Sequence, residues 1–320
     1  MPLGILRDSF RTPRADVCGF IRVAGPAPVR SSCWLIALLL AAVAAQADEP
    51  PMDTLVLADG DGDSEWRTAE ATMRPDATHA LEGRAMRFHI DVNHETGQPE
   101  YPIGWPRTYM SVPEDSRDWR KWDFVEFWLY ADTSREKLPN TPLGFIVRSP
   151  DRPNSYHRTV HEVQKAQWTH VRVPTSEMPS PAKCTAVQFF ISESNYNHGD
   201  VLDFWIDGLA LRRYAEPTII SMRPLGRVQY ADTDVVRIEV GMTGLEEGQT
   251  AKLLVRLVRD SETLRRSSAI LRCGIHAVPL EVGGNLDAGC YELQAQIAGS
   301  QRTLARTIRI VSSPWQENPP

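Results

Sequence analysis

The sequence predicts an all-β fold in which two β-sandwiches follow one another. Runs of alternating, β-branched and aromatic residues recur between clusters of Pro, Gly, Asn and Asp, which is typical of strands separated by turns. Helical periodicity is weak throughout the chain. About 270 residues follow an apolar N-terminal segment, and this length suits two domains better than one.

The N-terminal segment predicts export. Residues 33–44 are apolar and precede Ala-Gln-Ala at 45–47, a small-residue pattern typical of signal-peptide cleavage. The run is shorter than the about 20 apolar residues that a membrane-spanning helix needs. We therefore expect residues 1–47 to be a signal peptide, cleaved near Ala47 to leave a secreted, soluble chain. The stretch before Val29 is long and rich in Arg and Pro for a signal, so Val29 is the expected start.

Charge limits the class of partner. Residues 1–47 contain five arginines and two aspartates, so their removal changes the formal net charge from −6 to −9. Proteins that bind nucleic acid or anionic membranes usually carry a basic patch. The acidic balance therefore argues against both of these partners.

Two sets of strands are predicted. The first contains nine strands, at 54–58, 85–92, 107–112, 124–131, 143–148, 156–161, 168–173, 185–191 and 201–212. The second contains seven shorter ones, at 218–222, 235–242, 252–259, 267–271, 276–281, 290–298 and 304–311. Pro217 cannot continue a strand ladder and marks the boundary between them. The expected domains are 48–214 and 215–312, and residues 313–320 are expected to form a disordered tail.

The strand order of the first domain carries a resemblance. An opening strand leads into an acidic loop with Trp66, the stretch 122–129 reads Trp-Asp-Phe-Val-Glu-Phe-Trp-Leu, and a closing strand contains Phe-Trp-Ile-Asp-Gly at 204–208. This pattern resembles the galactose-binding-like β-jelly rolls of carbohydrate-binding modules, over about Met52 to Tyr214. The second domain resembles an immunoglobulin-like or fibronectin-like sandwich, although it lacks a Trp between two cysteines. The resemblance implies glycan recognition without catalysis.

One candidate site lies on a sheet face. Because strand side chains alternate, Trp128 and Tyr130 lie opposite the core row of their strand. Phe190 and Trp205 are placed in the same way on their own strands. Such aromatics could form a sugar cleft, or a loop or the second domain could cover them.

Three loops form the competing candidate site. Residues 100–109 concentrate aromatic rings beside prolines, residues 192–200 are dense in polar groups, and residues 148–158 contribute three arginines that could hold a carboxylate, as in an acidic sugar. Each loop could equally be solvated and held only by its own contacts. If the loops converge, the candidate ligand-binding residues are Tyr101, Trp105, Arg107, Arg148, Glu193, Asn195, Tyr196 and His198, with Trp128 from the sheet face.

The acidic loop at 59–63 is the best metal candidate. Its spacing departs from an EF-hand calcium loop because Ser64 stands where the motif needs glycine. Modules that this domain resembles often hold a structural calcium between the first loop and the last strand. The resemblance implies Asp59, Asp61, Glu82 and Asp207 as ligands, and the alternative is a plain acidic turn.

Three cysteines follow residue 47, namely Cys184, Cys273 and Cys290. Export permits disulfides, so Cys273 and Cys290 could pair, and otherwise all three are small core residues. None of their spacings is that of a zinc site.

Catalytic motifs are weak, so the chain is not expected to be an enzyme. Glu162, Glu193 and Asp200 could supply a glycosidase pair only if two carboxyl groups lie at the required separation. The favoured interpretation is a secreted, non-catalytic carbohydrate-binding protein whose partner is a poly- or oligosaccharide. Such a protein could also contact a glycan-degrading enzyme or a surface protein. The alternatives are a structural or adhesive cell-surface module and, less favoured, a glycoside-active enzyme.

Overall fold

The computed structural model describes residues 49–62, 64–95, 103–226 and 228–317, and it confirms the all-β class. The first part of the chain forms β1 Met52–Ala58, β2 Trp66–Ala69, β3 Thr72–Asp76, β4 Ala85–Asp91, β5 Arg107–Ser111, β6 Phe124–Thr133, β7 Gly144–Arg148, β8 Tyr156–Thr159, β9 Trp168–Pro174, β10 Ala186–Phe190 and β11 Val201–Tyr214. Short 3-10 helices lie at Glu114–Ser116, Arg152–Asn154, Thr175–Glu177, Pro181–Lys183 and Glu193–Asn195. These strands form two antiparallel sheets.

The first sheet has the order β3-β4-β11-β6-β9, and β1 also pairs with β11. The second sheet has the order β2-β5-β10-β7-β8. Phe127 on β6 meets Phe145 on β7 and Phe189 on β10, with ring centroids 5.1 Å away in both cases. All three rings are fully buried, and burial of one such side chain contributes about 1.5–3 kcal/mol. One hydrophobic core therefore joins the two sheets.

The second part of the chain forms its own pair of sheets. Its strands are β12 Thr218–Pro224, β13 Gln229–Tyr230, β14 Val235–Thr243, β15 Ala251–Arg259, β16 Glu262–Leu271, β17 Gly274–Glu281, β18 Gly289–Ile297 and β19 Thr303–Val311. The sheet orders are β12-β14-β17 and β13-β19-β18-β15-β16. Buried residues from both sheets share a second hydrophobic cluster, which includes Ile238 and Leu293. The jelly-roll and immunoglobulin-like assignments of the two parts stay predictions.

Several expectations differ from the structure. The acidic opening loop is followed by two further strands, β2 and β3, so the first part has more strands than predicted. Short β13 was also missed, and one helical turn, α1 Pro314–Glu317, lies in the segment that we expected to be disordered. The predicted signal peptide, its cleavage near Ala47 and the start at Val29 lie outside the described residues. Among the residues that are described, no helix is long and apolar enough to span a membrane.

The three described cysteines are unpaired. Cys273 precedes β17 and Cys290 lies on β18, and these strands belong to different sheets. The possible Cys273–Cys290 disulfide is therefore not formed. The alternative of three core cysteines was wrong for Cys273 and Cys290, because both are exposed. Cys184 is buried in the first core, where burial raises the pKa of its thiol to about 12.

Candidate functional site

The outer face of the β2-β5-β10-β7-β8 sheet carries the best candidate site. Antiparallel register places Tyr109 on β5 beside Gln188 on β10. Gln188 lies beside Ile146 on β7, which in turn lies beside His157 on β8. Because alternate residues of a strand share a face, this row points away from the core. Four strands thus contribute to one continuous surface.

A depression of about 720 Å³ lies over this row. Residues of the 103–106 loop, of the sheet and of the segment after β7 surround it. Its lining is Trp105, Arg107, Tyr109, Ile146, Arg148, Ser149, Pro150, Arg152, Ser155, His157, Thr185 and Gln188. Small-molecule sites commonly have volumes of about 300–1,000 Å³ and mix apolar walls with a few polar groups. The depression meets both conditions.

Trp105 forms an aromatic wall of the depression. Its side chain is 47% exposed, and its ring meets the Phe190 ring edge-on at 5.1 Å between centroids. Phe190 in turn lies against Gly144, where an added Cβ would be only 2.2 Å from the Phe190 ring. The indole is therefore supported from one side and accessible from the other.

Two carboxylates hold the loop that carries Trp105. The Gly104 backbone N–H donates to Glu193 Oε2 at 2.8 Å, and the Trp105 N–H donates to Glu70 Oε2 at 2.6 Å. Glu193 Oε1 also accepts the N–H of Asn93 at 3.1 Å. Hydrogen bonds from backbone N–H groups to a carboxylate are stronger than neutral ones. These bonds fix the position of the indole before any ligand arrives.

The polar lining is basic. Arg148 lies over the Tyr109 ring at 5.0 Å and donates a hydrogen bond to Gln188 Oε1. Arg107 donates to the Trp105 carbonyl at 3.1 Å. Arg152 and His157 complete the charged or chargeable groups of the depression. Several donors thus face the space beside the indole.

The structure brings together three of the predicted ligand-binding residues, Trp105, Arg107 and Arg148. The others lie elsewhere. Glu193 is only 3% exposed and supports the loop from behind. Tyr196 is likewise 3% exposed, and its hydroxyl donates to the Pro142 carbonyl at 2.6 Å.

Asn195 and His198 are bound to neighbouring loops. The Asn195 side chain donates to the Thr141 carbonyl at 3.3 Å, and His198 Nδ1 accepts the N–H of His94 at 3.2 Å. Neither residue lines the depression. Tyr101 lies outside the described residues. Of the three loops that we expected to converge, only the 103–106 loop and the segment after β7 line the depression.

Trp128 lies on the outer face of the other sheet. Its ring stacks on His170, with centroids 4.3 Å apart and an interplanar angle of 10°. On the same face, His79 stacks on Tyr130 at 4.2 Å and meets Trp205 edge-on at 4.5 Å. A loop therefore covers Tyr130 and Trp205, as the second sequence-based alternative expected. The grouping of Phe190 with these rings was wrong, because β10 belongs to the other sheet.

A buried carboxylate on that face is surrounded by two arginines and a histidine. Glu126 is 4% exposed, and its oxygens lie 3.0 Å from His170 Nε2, 2.8 Å from Arg172 Nε and 2.7 Å from Arg212 Nε. Burial alone would raise its pKa, but the hydrogen bonds from His170 and Arg172 and the charges of Arg212 and Arg172 hold the pKa of Glu126 at about 2. The cluster connects three strands.

The residues implied for calcium are held by hydrogen-bond donors. Asp59 Oδ1 accepts the N–H groups of Asp61 and Gly62 at 3.0 and 2.9 Å, and the Asp61 carboxylate pairs with Arg84 at 3.2 Å. Asp207 Oδ2 accepts the Leu81 N–H at 2.8 Å.

Burial raises the pKa of Asp207, although hydrogen bonds from backbone N–H groups oppose this. The described residues contain no cluster of three His, Cys, Asp or Glu side chains suited to a metal ion. In this arrangement the carboxylates of Asp59 and Asp207 accept backbone N–H groups, and that of Asp61 pairs with Arg84. Calcium binding by these residues and Glu82 stays a prediction.

Glu162, Glu193 and Asp200, the carboxylates that could supply a glycosidase pair, do not line the depression. Glu162 pairs with Arg158, and Asp200 lies 3.6 Å from Arg135. Glu193 accepts backbone N–H groups as described above.

The residues singled out from the sequence did not include Tyr109, Ile146, Arg152, His157 or Gln188, although the candidate loops at 100–109 and 148–158 contain Tyr109, Arg152 and His157. Alternation within β10 placed Gln188 on the face opposite the core, and the same argument applied to β5 places Tyr109 there. Their adjacency depends on strand register, which a single sequence does not specify.

Among known proteins, this chain is similar only to solved structures. The chain matches no protein-family model and no curated protein. A beta-1,2-glucanase from Parabacteroides distasonis is similar with a TM-score of 0.37 and 9% identity, over 84% of this chain and 40% of that chain. A calcium-binding mutant of Bacteroides uniformis beta-glucuronidase 2 gives a TM-score of 0.31 and 11% identity, over 81% of this chain and 32% of that chain.

An exo-chitosanase from Amycolatopsis orientalis gives a TM-score of 0.24 and 11% identity, over 82% of this chain and 33% of that chain. The chain thus spans about a third to two fifths of the length of these enzymes. All of them are glycoside hydrolases, and this finding corrects the sequence-based expectation that the chain is not an enzyme. That expectation rested on missing sequence motifs and on the resemblance to non-catalytic modules, and catalytic groups are often distant in sequence.

Proposed function

We propose that the depression on the β2-β5-β10-β7-β8 sheet binds a saccharide. The observation that carries this proposal is the exposed indole of Trp105 beside the polar side chains of Arg107, Arg148 and Gln188. Aromatic faces pack against the C–H faces of sugar rings, while fixed donors and acceptors bind the hydroxyl groups. Both features meet in one depression of suitable size.

The site is organised before binding, which supports the same proposal. Glu193 and Glu70 hold the backbone around Trp105, and Phe190 supports its ring. Arg148 is held by Tyr109 and Gln188. A binding site whose side chains are already ordered loses less conformational entropy when the ligand binds. Sugars gain little net energy from each hydroxyl contact, so low ordering cost favours their recognition.

Affinity electrophoresis through gels that contain soluble polysaccharides tests the proposal. We expect the wild-type protein to be retarded on at least one of a panel of neutral and acidic polysaccharides. Trp105→Ala removes the aromatic wall and should weaken binding about tenfold or more, equivalent to about 1.4 kcal/mol. Trp315→Ala is the matched control, because Trp315 is an exposed indole on α1, outside the depression.

Two results would contradict saccharide binding at this depression. One is a lack of retardation on every polysaccharide, and the other is equal retardation of the wild type and Trp105→Ala. The retained polysaccharides are also assayed for new reducing ends, since release of reducing ends by the wild type would demonstrate glycoside hydrolysis.

A further inference from the structure

The lining of the depression differs in charge from the whole chain. The sequence carries a formal net charge of −6. In contrast, the lining includes Arg107, Arg148, Arg152 and His157 and no Asp or Glu. A concave surface with charges of one sign raises the local concentration of the opposite charge. The depression is therefore suited to an anionic group.

The three lining arginines have no carboxylate partner among the residues that the structure describes. Other arginines of the same sandwich are paired, for example Arg87 with Asp203 at 2.6 Å and Arg213 with Asp53 at 2.7 Å. The arginine next to the depression, Arg158, is neutralised by Glu162. Arg67, Arg74 and Arg117 also have no carboxylate partner among the described residues, but none of them lines the depression. The lining arginines differ in that three unpaired guanidinium groups border one depression.

Arg148 is the best placed of the three to bind an anion. The Tyr109 ring and Gln188 hold its guanidinium over the sheet, and only one of its N–H groups is used by Gln188. A guanidinium has five N–H donors in a planar fork that matches the two oxygens of a carboxylate. The remaining donors are therefore available to a ligand beside Trp105.

We propose that the depression selects saccharides that carry a carboxylate, such as those built from uronic acids. The sugar ring packs on Trp105, and the carboxylate is bound by Arg148 with Arg107 and Arg152 nearby. This inference rests on the proposed saccharide binding and adds the chemical class of the ligand.

The test compares polyuronates with their own methyl esters. Polygalacturonate, alginate and hyaluronan are each used in affinity electrophoresis beside the methyl-esterified form, which keeps the sugar and removes the charge. We expect at least one acid form to bind the wild type about tenfold or more tightly than its ester. Binding to the acid form should weaken as salt rises, because salt screens exposed charges.

Arg148→Gln should reduce the ratio of acid to ester binding towards one. Arg74→Gln is the matched control, because it removes the same charge from an exposed position on β3, in the other sheet, and should leave the ratio unchanged. Trp105→Ala should weaken binding of the preferred acid form. Two further polyanions are tested. Dextran sulfate is a sugar chain that carries sulfate instead of carboxylate, and polyglutamate carries carboxylates but contains no sugar.

The outcomes distinguish failure of this inference from failure of the proposed function. Equal binding of acids and esters would overturn the preference for carboxylates and leave saccharide binding intact. Failure to bind any saccharide would overturn both. Preferential binding of dextran sulfate, Trp105-independent binding of polyglutamate as tight as that of the polyuronates, or an unchanged acid-to-ester ratio in Arg148→Gln would each overturn the carboxylate site.

Discussion

Phe190 connects the floor of the depression to its aromatic wall. It lies on β10 directly beside Gly144 of β7, and its ring occupies the space that a side chain at 144 would fill. Trp105 meets the same ring from the loop. The position of the exposed indole therefore depends on a glycine in a neighbouring strand.

Gly144→Ala should weaken saccharide binding although it removes no lining group. The new Cβ would lie 2.2 Å from the Phe190 ring, so the ring must move and Trp105 loses its support. Overpacking of this kind costs about 1–3 kcal/mol of stability. Urea unfolding and affinity electrophoresis measure the two effects.

The control for this substitution is Gly62→Ala. A Cβ there would make only an ordinary contact, 3.5 Å from Asp59 Oδ1. Unchanged retardation and stability of Gly144→Ala would show that Phe190 does not position Trp105.

The sequence indicated some residues of the candidate site because their chemistry is local. Trp105 and Arg107 belong to one aromatic, proline-stiffened loop, and Arg148 belongs to an arginine-rich segment. Tyr196 resembled a binding residue for the same reason. Its side chain is buried, and its hydroxyl donates a hydrogen bond to the carbonyl of Pro142, 54 residues away. No local sequence pattern contains this contact.

At the scale of the strands, Glu126 links β6 to both of its neighbours in the sheet. Arg172 lies on β9 and Arg212 on β11, and both guanidinium groups contact its carboxylate. Removing one partner of a buried ion pair costs more than removing an exposed one, because the remaining charge stays desolvated. The charge of Glu126 is therefore coupled to the integrity of three strands.

This coupling predicts a loss of stability in acid. The folded pKa of Glu126 is about 2, below its usual value of 4.5, so its contribution is complete above pH 4.5 and is lost as pH falls towards 2. The contribution is on the order of 3 kcal/mol, from about 1.4 kcal/mol per pKa unit. Urea unfolding of the wild type and Glu126→Gln at a series of pH values measures it.

The difference between the two proteins should be largest near pH 6 and should shrink towards pH 2. Other carboxylates titrate in both proteins and cancel in this difference. A difference that stays constant with pH would show that the charge of Glu126 does not stabilise the sheet.

The sequence predicted most strands but not their pairing or every boundary. Long core strands such as β6 and β11 have strong apolar rows, and their identification was correct. Short β2 and β3 have few buried residues and were interpreted as loop. Strand β16 begins earlier than predicted, because Asp260 and Ser261, with φ of 50° and 69°, form a tight turn without the usual glycine.

At the scale of the whole molecule, the described chain contains two hydrophobic clusters with no common member. Asp123 is one connection between the sandwiches. It accepts a hydrogen bond from the Thr243 hydroxyl of β14, and its other oxygen accepts the Tyr214 N–H at 2.8 Å. We propose that the clusters belong to two domains divided between β11 and β12, as the sequence predicts.

Substitutions in the two cores should then act on different unfolding transitions. Leu129 and Leu293 are fully buried, one in each cluster, and replacement of a core leucine by alanine costs about 2–5 kcal/mol. Differential scanning calorimetry of the wild type, Leu129→Ala and Leu293→Ala should show two transitions, with each variant lowering a different one. Near the temperature at which Leu129→Ala unfolds, this variant should also lose saccharide binding. Leu293→Ala should still bind at that temperature, because the depression lies on the sandwich that encloses the first cluster. A single transition that both variants lower equally would contradict the division, because it would mean that the two clusters unfold as one cooperative unit.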